Sequence, residues 1–230
     1  MKRYAIGDIH GSARALKQCI EKSGADINQD RFIVVGDVCD GWPEVKESVD
    51  ILMSMKNLVY ILGNHDEWAL NWMKYGVSPD IWISQGGSNT RTSYQKNGLP
   101  IEHIKFFEKA KLFHEEDGDL FVHGGIEKGS KAIDNDRVTL LWDRDLATRS
   151  AQCQTFKDSD LAKPNYKRIF IGHSTTSLFK KKEPIYGGHI WNLDTGAGWE
   201  GKLTIMDIDT EKWWQSDESF ELYPNDNYRF

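Results

Sequence analysis

The sequence predicts an α/β protein, a parallel sheet with a second sheet packed on it, and three observations carry that prediction. Short apolar runs alternate with helix-periodic stretches through the first third of the chain. Each of those runs stops in a glycine, which lets the backbone turn sharply out of a strand. From about Leu112 onward the pattern changes to short strand-like runs separated by turn residues.

Taken in order, Tyr4-Ala5-Ile6 is the first apolar run, stopped by Gly7. Between Ser12 and Ser23, Ala13, Leu16, Cys19 and Ile20 recur at helical spacing. Phe32-Ile33-Val34-Val35 is β-branched and stops at Gly36. Pro43 then opens a helix through about Met55, with Val45, Val49, Leu52 and Met53 on one side. Leu58 to Leu62 is the third run, stopped by Gly63. Strand, helix, strand, helix, strand implies parallel pairing through crossovers. The middle reads as mostly helical, with a loop at Gly86-Gly87 and a break at Pro100. Leu112-Phe113-His114 and Leu120-Phe121-Val122 flank Asp117-Gly118, a hairpin signal. Ile169-Phe170-Ile171, the run from Ile190 to Leu193 and the run from Leu203 to Ile208 are further strands, assigned with the hairpin to the second sheet. The tail carries Trp213, Trp214, Phe220, Tyr223, Tyr228 and Phe230 and is assigned to packing. Without an internal repeat or an interdomain linker, residues 1–230 are expected to form a single domain.

Composition narrows the function classes. With 29 Lys plus Arg against 35 Asp plus Glu, the formal charge is −6, so no bulk nucleic-acid binding is expected. The one basic run, Lys180-Lys181-Lys182, reads as a solvated loop. Only three cysteines, Cys19, Cys39 and Cys153, suggest reduced thiols and a cytoplasmic location. The N-terminal residues show no apolar stretch of signal length, and no segment reaches the roughly 18 apolar residues that span a bilayer, so no membrane partner is expected. Oligomeric state is left open.

The chemistry lies where the strands end. Gly7-Asp8-Ile9-His10-Gly11, Gly36-Asp37-Val38-Cys39-Asp40-Gly41 and Gly63-Asn64-His65-Asp66-Glu67 follow the first three strands; His123-Gly124-Gly125 and Gly172-His173-Ser174 follow two later ones. Ligand sites in open α/β sheets gather at the carboxyl ends of the strands. Asp, His and Asn are oxygen and nitrogen donors suited to Mn²⁺, Fe or Zn²⁺. Asp8 and His10, two apart, can grip one ion. Asp37 can bridge two, because a carboxylate offers two oxygens, and Asn64, His123 and His173 could complete the second. Any one such motif is commonly a turn or a cap. Five in series are not explained by chance.

This ordered set closely resembles the calcineurin-like metallophosphoesterases, and within them the phosphoprotein phosphatase group in its bacterial and phage serine/threonine branch. The resemblance runs from about Lys2 to Asp209 and includes Trp82 with Gln85-Gly86-Gly87, Leu141-Trp142-Asp143-Arg144, and Asp194-Thr195-Gly196-Ala197-Gly198. It implies a four-layer α/β/β/α sandwich with two facing mixed β-sheets. It implies two divalent metal ions, Mn²⁺ first with Fe or Zn²⁺ as alternatives, one held by Asp8, His10 and Asp37 and one by Asp37, Asn64, His123 and His173. It gives His65 the role of general acid, Asp40 that of its orienting carboxylate, and Arg144 that of a phosphate clamp, with Asn64 and His65 also facing the substrate. The implied reaction is hydrolysis of a phosphate monoester, of the serine/threonine protein phosphatase type, by a hydroxide shared between the ions. The implied partner is a phosphoprotein or a small phosphate ester.

One departure stands out. The protein phosphatase pattern continues from the Asp40 position into Arg-Gly, whereas here Gly41-Trp42-Pro43 follows. A charge-assisted hydrogen bond is worth about 1.5–3 kcal/mol, so losing that arginine corresponds to roughly 10- to 150-fold in rate. Arg91 is the first replacement to consider. Trp42 reads as lid packing or as a platform for an aromatic leaving group. The departure keeps two alternatives open, a diadenosine tetraphosphatase and a nucleic-acid end phosphatase, while a non-catalytic metal-binding scaffold is disfavoured by the full ligand set. Cys39 has acidic neighbours that do not favour a thiolate, so it reads as structural.

Overall fold

The computed structural model describes residues 1–153 and 165–226. Tyr228 and Phe230 of the tail lie outside the described residues. The strands are β1 (Arg3–Ile6), β2 (Arg31–Val34), β3 (Asn57–Tyr60), β4 (Phe113–Glu116), β5 (Asp119–Val122), β6 (Arg168–Ile171), β7 (Ile185–Gly187), β8 (Ile190–Asn192), β9 (Thr204–Asp207) and β10 (Trp213–Gln215). The α-helices are α1 (Ala13–Ser23), α2 (Val45–Ser54), α3 (Asn64–Tyr75), α4 (Asp80–Trp82), α5 (Ser88–Asn97), α6 (Ile101–Glu108), α7 (Arg137–Trp142), α8 (Asp145–Gln152) and α9 (Ser219–Leu222). None of the described helices is long and apolar enough to cross a membrane.

Two five-stranded mixed sheets result. The first has the order β10-β9-β1-β2-β3, with β1, β2 and β3 parallel and β9 and β10 antiparallel. The second has the order β4-β5-β6-β8-β7, parallel at its centre and antiparallel at both edges. Side chains alternate along each strand, and that alternation sorts the core into layers. Ala5, Ile33, Val59, Met206 and Ile208 of the first sheet meet Phe121, Phe170, Trp191 and Leu193 of the second. Tyr4, Ile6, Phe32 and Val34 face the other way, onto Leu16, Cys19, Val49 and Leu52 of α1 and α2. Leu120, Val122, Ile169 and Ile171 likewise meet Leu140, Leu146 and Ala147 of α7 and α8. The architecture is therefore the expected four-layer α/β/β/α sandwich.

Three local readings are corrected. The run from Leu203 to Ile208 returns to the first sheet, where Ala5 pairs Met206. It is buried on both faces, so its sequence carries no alternation that could say which sheet takes it. The tail does more than pack, since Trp213–Gln215 forms the edge strand β10 on β9. Gly86-Gly87 is a kink in a continuing helical stretch, in which Gly86 takes φ 100° and Gly87 packs against the Trp82 ring, where a side chain would collide. The hairpin is as read, with Asp117 and Gly118 both at positive φ, as a two-residue turn requires.

At the end of the sandwich opposite the strand carboxyl termini, ion pairs tie the sheets together. Arg3 of β1 pairs with Asp209 and, at 2.7 Å, with Asp117, while Arg31 of β2 reaches Glu116 of β4 at 2.8 Å. Arg168 of β6 reaches back to the Ile208 carbonyl at 2.6 Å.

Candidate active site

The glycine-flanked motifs converge at the carboxyl ends of β1, β2, β3, β5 and β6 because parallel pairing puts those ends side by side. The loops are laced to each other by backbone bonds. Ile9 and His10 both donate to the Asp37 carbonyl, at 3.0 and 2.8 Å, and Gly11 donates to the Val38 carbonyl at 2.8 Å. His10, Asp37, Asp40 and His173 all adopt positive φ, a conformation costly for residues with side chains. Strain of that kind persists only where the surroundings impose it.

All six residues expected to hold metal are buried. Ligand atoms of His10, Asp37 and His65 lie within 4.8 Å of one another, and so do those of Asp37, His123 and His173. Asp37 belongs to both groups, the arrangement expected of a bridging carboxylate. Its Oδ2 is 3.2 Å from His123 Nε2 and 3.7 Å from His10 Nε2. Asn64 Oδ1 sits 2.9 Å from His123 Nε2 and 2.8 Å from His173 Nδ1. His10 and His123 donate Nδ1–H to the carbonyls of Cys39 and Val35, both at 2.8 Å, which points each Nε2 into the cluster. Asp8 differs from expectation. It joins neither triad, and its Oδ2 accepts the backbone N–H of His173 at 2.9 Å.

Two divalent ions fit this donor set. Asp8 Oδ1 and His173 Nε2 are buried with no hydrogen-bond partner, although buried polar atoms are ordinarily paired. Gly63 and Gly172 leave space that only a missing Cβ allows, since a methyl group there would collide with Asp37 Oδ1 and with Asp8 Oδ1. Without an ion, burial and then Asp194 push Asp8 well above the carboxylate range. Burial would do the same to Asp37, but the surrounding His123, His65 and His10 hold it well below. His123 is opposed by burial yet raised to about 10 by Asp37. Burial and then His123 and Arg144 push His173 well below its usual value. Divalent cations would compensate the buried carboxylates.

Beside the cluster, His65 Nδ1 bonds Asp40 Oδ2 at 2.6 Å. Asp40 is fully buried and also accepts from Trp82 Nε1 at 2.9 Å and Thr90 Oγ1 at 2.6 Å. Burial raises its pKa, against the opposing bonds from His65, Thr90 and Trp82. Arg144, which precedes α8, donates to the His173 carbonyl at 3.3 Å and lines the same cleft as His10, Asp37, His65 and His173. The volume of that cleft is about 590 Å³.

Arg91 does not line the cleft; its guanidinium lies 3.4 Å from Ser78 Oγ. Trp42 is fully buried, donates to the Ala197 carbonyl at 2.7 Å and stacks on Tyr223, so it packs and offers no platform. Burial, then Asp66 and Asp40, push the Cys39 thiol up, in keeping with a structural role. The sequence reading missed Thr90, Asp66 and the lysines of the cleft. Lys181 and Lys182, read as a solvated loop, line the cleft wall with Lys202. Asp66 stands within the third strand-end motif with no role assigned to it, and the composition of the lysine run suits either setting.

Comparison with known proteins agrees with this geometry. Residues 1–199 match the family model for calcineurin-like phosphoesterases. A symmetrical bis(5'-nucleosyl)-tetraphosphatase of Pseudomonas fluorescens (strain SBW25) is 27% identical, covering 91% of this chain and 92% of its own. The asymmetrical bis(5'-nucleosyl)-tetraphosphatase PrpE of Bacillus thuringiensis (strain Al Hakam) is 25% identical, over 90% of each. A protein serine/threonine phosphatase from Saccharomyces cerevisiae has a similar structure, with a TM-score of 0.64 and 14% identity over 94% of this chain and 80% of its own. At that identity the likeness concerns the fold.

Proposed function

Because the chain belongs to the calcineurin-like phosphoesterases, a family of phosphoester hydrolases, we propose that its substrate is a dinucleoside polyphosphate and its cofactor a pair of divalent ions. The observation that carries the cofactor reading is the sharing of Asp37 between two groups of donors, His10 with His65 and His123 with His173, beside the buried, unpartnered Oδ1 of Asp8. Asp8, His10 and Asp37 would hold one ion and Asp37, Asn64, His123 and His173 the other, with Mn²⁺ first and Fe or Zn²⁺ suited to the same donors. Bound there, the ions supply a water nucleophile at neutral pH and offset charge on the phosphoryl oxygens.

The chain's own residues do the rest. Arg144 presents its guanidinium to the non-bridging oxygens of the attacked phosphate, a contact that strengthens as negative charge builds on them. Asp40 accepts the Nδ1–H of His65, so in the doubly protonated imidazolium the proton to be delivered is the one on Nε2. As the water oxygen bonds to phosphorus, the bridging P–O bond breaks and the departing oxygen takes the His65 proton. The proton lost by the water balances the one given. No phosphoenzyme forms, and the buried, raised Cys39 thiol is not a nucleophile.

Two observations support the substrate. Relatives covering nine-tenths of the chain bear the tetraphosphatase name, and the arginine that follows the Asp40 position in protein phosphatases is absent. A second reading, a serine/threonine-type protein phosphatase, is favoured by Trp82, one of the residues that carry the resemblance to that group, whose indole donates to Asp40 at 2.9 Å. Unpaired Cys19, Cys39 and Cys153 support a reducing, cytoplasmic compartment.

The test is an assay of metal-stripped protein resupplied singly with Mn²⁺, Zn²⁺, Mg²⁺ or Fe²⁺. Diadenosine tetraphosphate, a phosphoserine peptide and 5′-phosphorylated RNA are the substrates. We expect metal-restored turnover with the highest kcat/KM on diadenosine tetraphosphate. A higher value on the peptide or the RNA overturns the substrate, and full activity in stripped protein overturns the metals.

A further inference from the structure

We propose that the cleft wall beyond the ligand cluster is a specificity subsite for the distal part of the substrate. Lys181, Lys182 and Lys202 take its further phosphates, and Trp199 and Phe220 take a base. The inference rests on the dinucleoside polyphosphate reading and assigns residues to it.

Three separate stretches of chain build this wall, and backbone bonds fix each to the next. The turn that carries Lys181 and Lys182 is held where Thr176 donates to the Asp194 carbonyl at 2.8 Å and Lys181 donates to the Thr176 carbonyl at 3.1 Å. Within the second stretch, Trp199 and Gly201 both donate to the Gly196 carbonyl at 2.9 Å. The third stretch is tied on where Ser219, at the start of α9, donates to the Gly201 carbonyl at 2.8 Å. Lys182 Nζ pairs with Glu218 at 3.0 Å, and Gln215 Nε2 grips the Lys182 carbonyl at 2.8 Å. The wall is thus preformed, so little ordering cost falls on a ligand.

In a chain of formal charge −6, Arg144, Lys181, Lys182 and Lys202 all line this one cleft, together with the carboxylates of Asp37 and Asp194. Glu200 and Glu218 lie among them, and Glu218 is occupied with Lys182. Trp199 and Phe220 remain 45% and 43% exposed in the same cleft. Large aromatic side chains left in solvent beside ammonium groups are what a flat base on an anionic chain requires. A phosphoserine peptide brings one phosphate, which the ligand cluster and Arg144 already accommodate, and brings no further phosphate for the lysines to bind. The volume of about 590 Å³ suits a ligand of nucleotide size.

The experiment compares kcat/KM for diadenosine tetraphosphate with kcat/KM for p-nitrophenyl phosphate in the metal-loaded full chain. The variants are Lys181→Ala with Lys202→Ala, Trp199→Ala with Phe220→Ala, and, outside the cleft, Lys105→Ala. In each cleft pair the ratio is expected to fall about 10- to 100-fold, mainly through KM, as lost charge-assisted bonds or base stacking dictate. The Lys105 variant should keep the wild-type ratio. Lys181→Arg with Lys202→Arg and Trp199→Phe should recover most of the loss, which general damage to the fold would not permit. If wild type hydrolyses the tetraphosphate and both pairs keep its ratio within about twofold, the subsite is wrong and the substrate reading stands. If wild type turns over p-nitrophenyl phosphate but not the tetraphosphate, the substrate reading fails and takes the subsite with it.

Discussion

The carboxylate of Asp66 holds the backbone of Asp37, accepting its N–H at 2.9 Å while Asp37 sits at φ 51°. The same carboxylate accepts from the N–H groups of Val38, Cys39 and Gly63 and from the Tyr60 hydroxyl. Both ligand groups share Asp37, so this one buried side chain fixes the position on which each depends.

Asp66→Asn should therefore weaken metal binding although Asp66 touches no ion site. An amide NH₂ would face backbone donors that now share an acceptor, and each unsatisfied buried donor costs about 1–3 kcal/mol. We expect a Tm lower by roughly 6–12 °C and reduced metal retention on gel filtration. Wild-type melting together with wild-type metal content would remove Asp66 from this role.

His65→Asn tests proton delivery, with metal content measured alongside because His65 also lies in the group with His10 and Asp37. General acid catalysis is worth roughly 10²–10⁴-fold, and its benefit grows as the leaving group becomes more basic. Turnover of phenyl phosphate should drop by at least about 100-fold and that of nitrophenyl phosphate by under about tenfold. Parallel losses on the two esters would show that His65 does not protonate the leaving oxygen.

The convergence of Asp8, His10, Asp37, Asn64, His123 and His173 was legible because parallel strands bring their carboxyl ends together whatever the loops contain. A glycine beside a donor residue marks such an end in one dimension. Other features had no such mark. Thr90 is a hydroxyl inside α5, and nothing in the spacing of that helix points it at Asp40. Lysines at 181 and 182 look alike in sequence whether the loop faces bulk water or a cleft. Trp42 lies within the second motif, but only the fold shows it stacked on Tyr223, far along the chain. The run from Leu203 to Ile208, buried on both faces, gave a strand without saying which sheet would take it.

Gly63→Ala and Gly76→Ala make a contrasting pair. Gly63 has an ordinary φ of −95°, so its need for glycine comes entirely from the Asp37 carboxylate packed where a methyl would go. Gly76 is the reverse case, a left-handed helix cap at φ 70° with open space around it. Alanine at 63 should displace Asp37 and abolish metal-dependent turnover. Alanine at 76 should cost about 1 kcal/mol of stability and leave kcat unchanged. Turnover retained in Gly63→Ala would mean that Asp37 need not stay where it is.

Arg3 provides the pH prediction, because it joins the two sheets at the end remote from the cleft. Its hydrogen bond holds Asp209 below the usual carboxylate range, and it also pairs with Asp117. A carboxylate whose folded pKa is depressed stabilises the fold above its unfolded pKa, about 3.9, and loses that contribution as pH falls through the lower folded value. These partners are largely solvent-exposed, so each pair is worth only about 0.2–1 kcal/mol after screening. Arg3→Ala should accordingly lower the urea midpoint at pH 7, by less in high salt, and the gap from wild type should close as pH drops below about 4. A gap that stays constant from pH 7 to pH 3 would assign the loss to packing of the arginine stem, with no share for its charge. Metal-dependent turnover at pH 7 should be the same in both proteins, since Arg3 lies at the far end of β1 from Asp8.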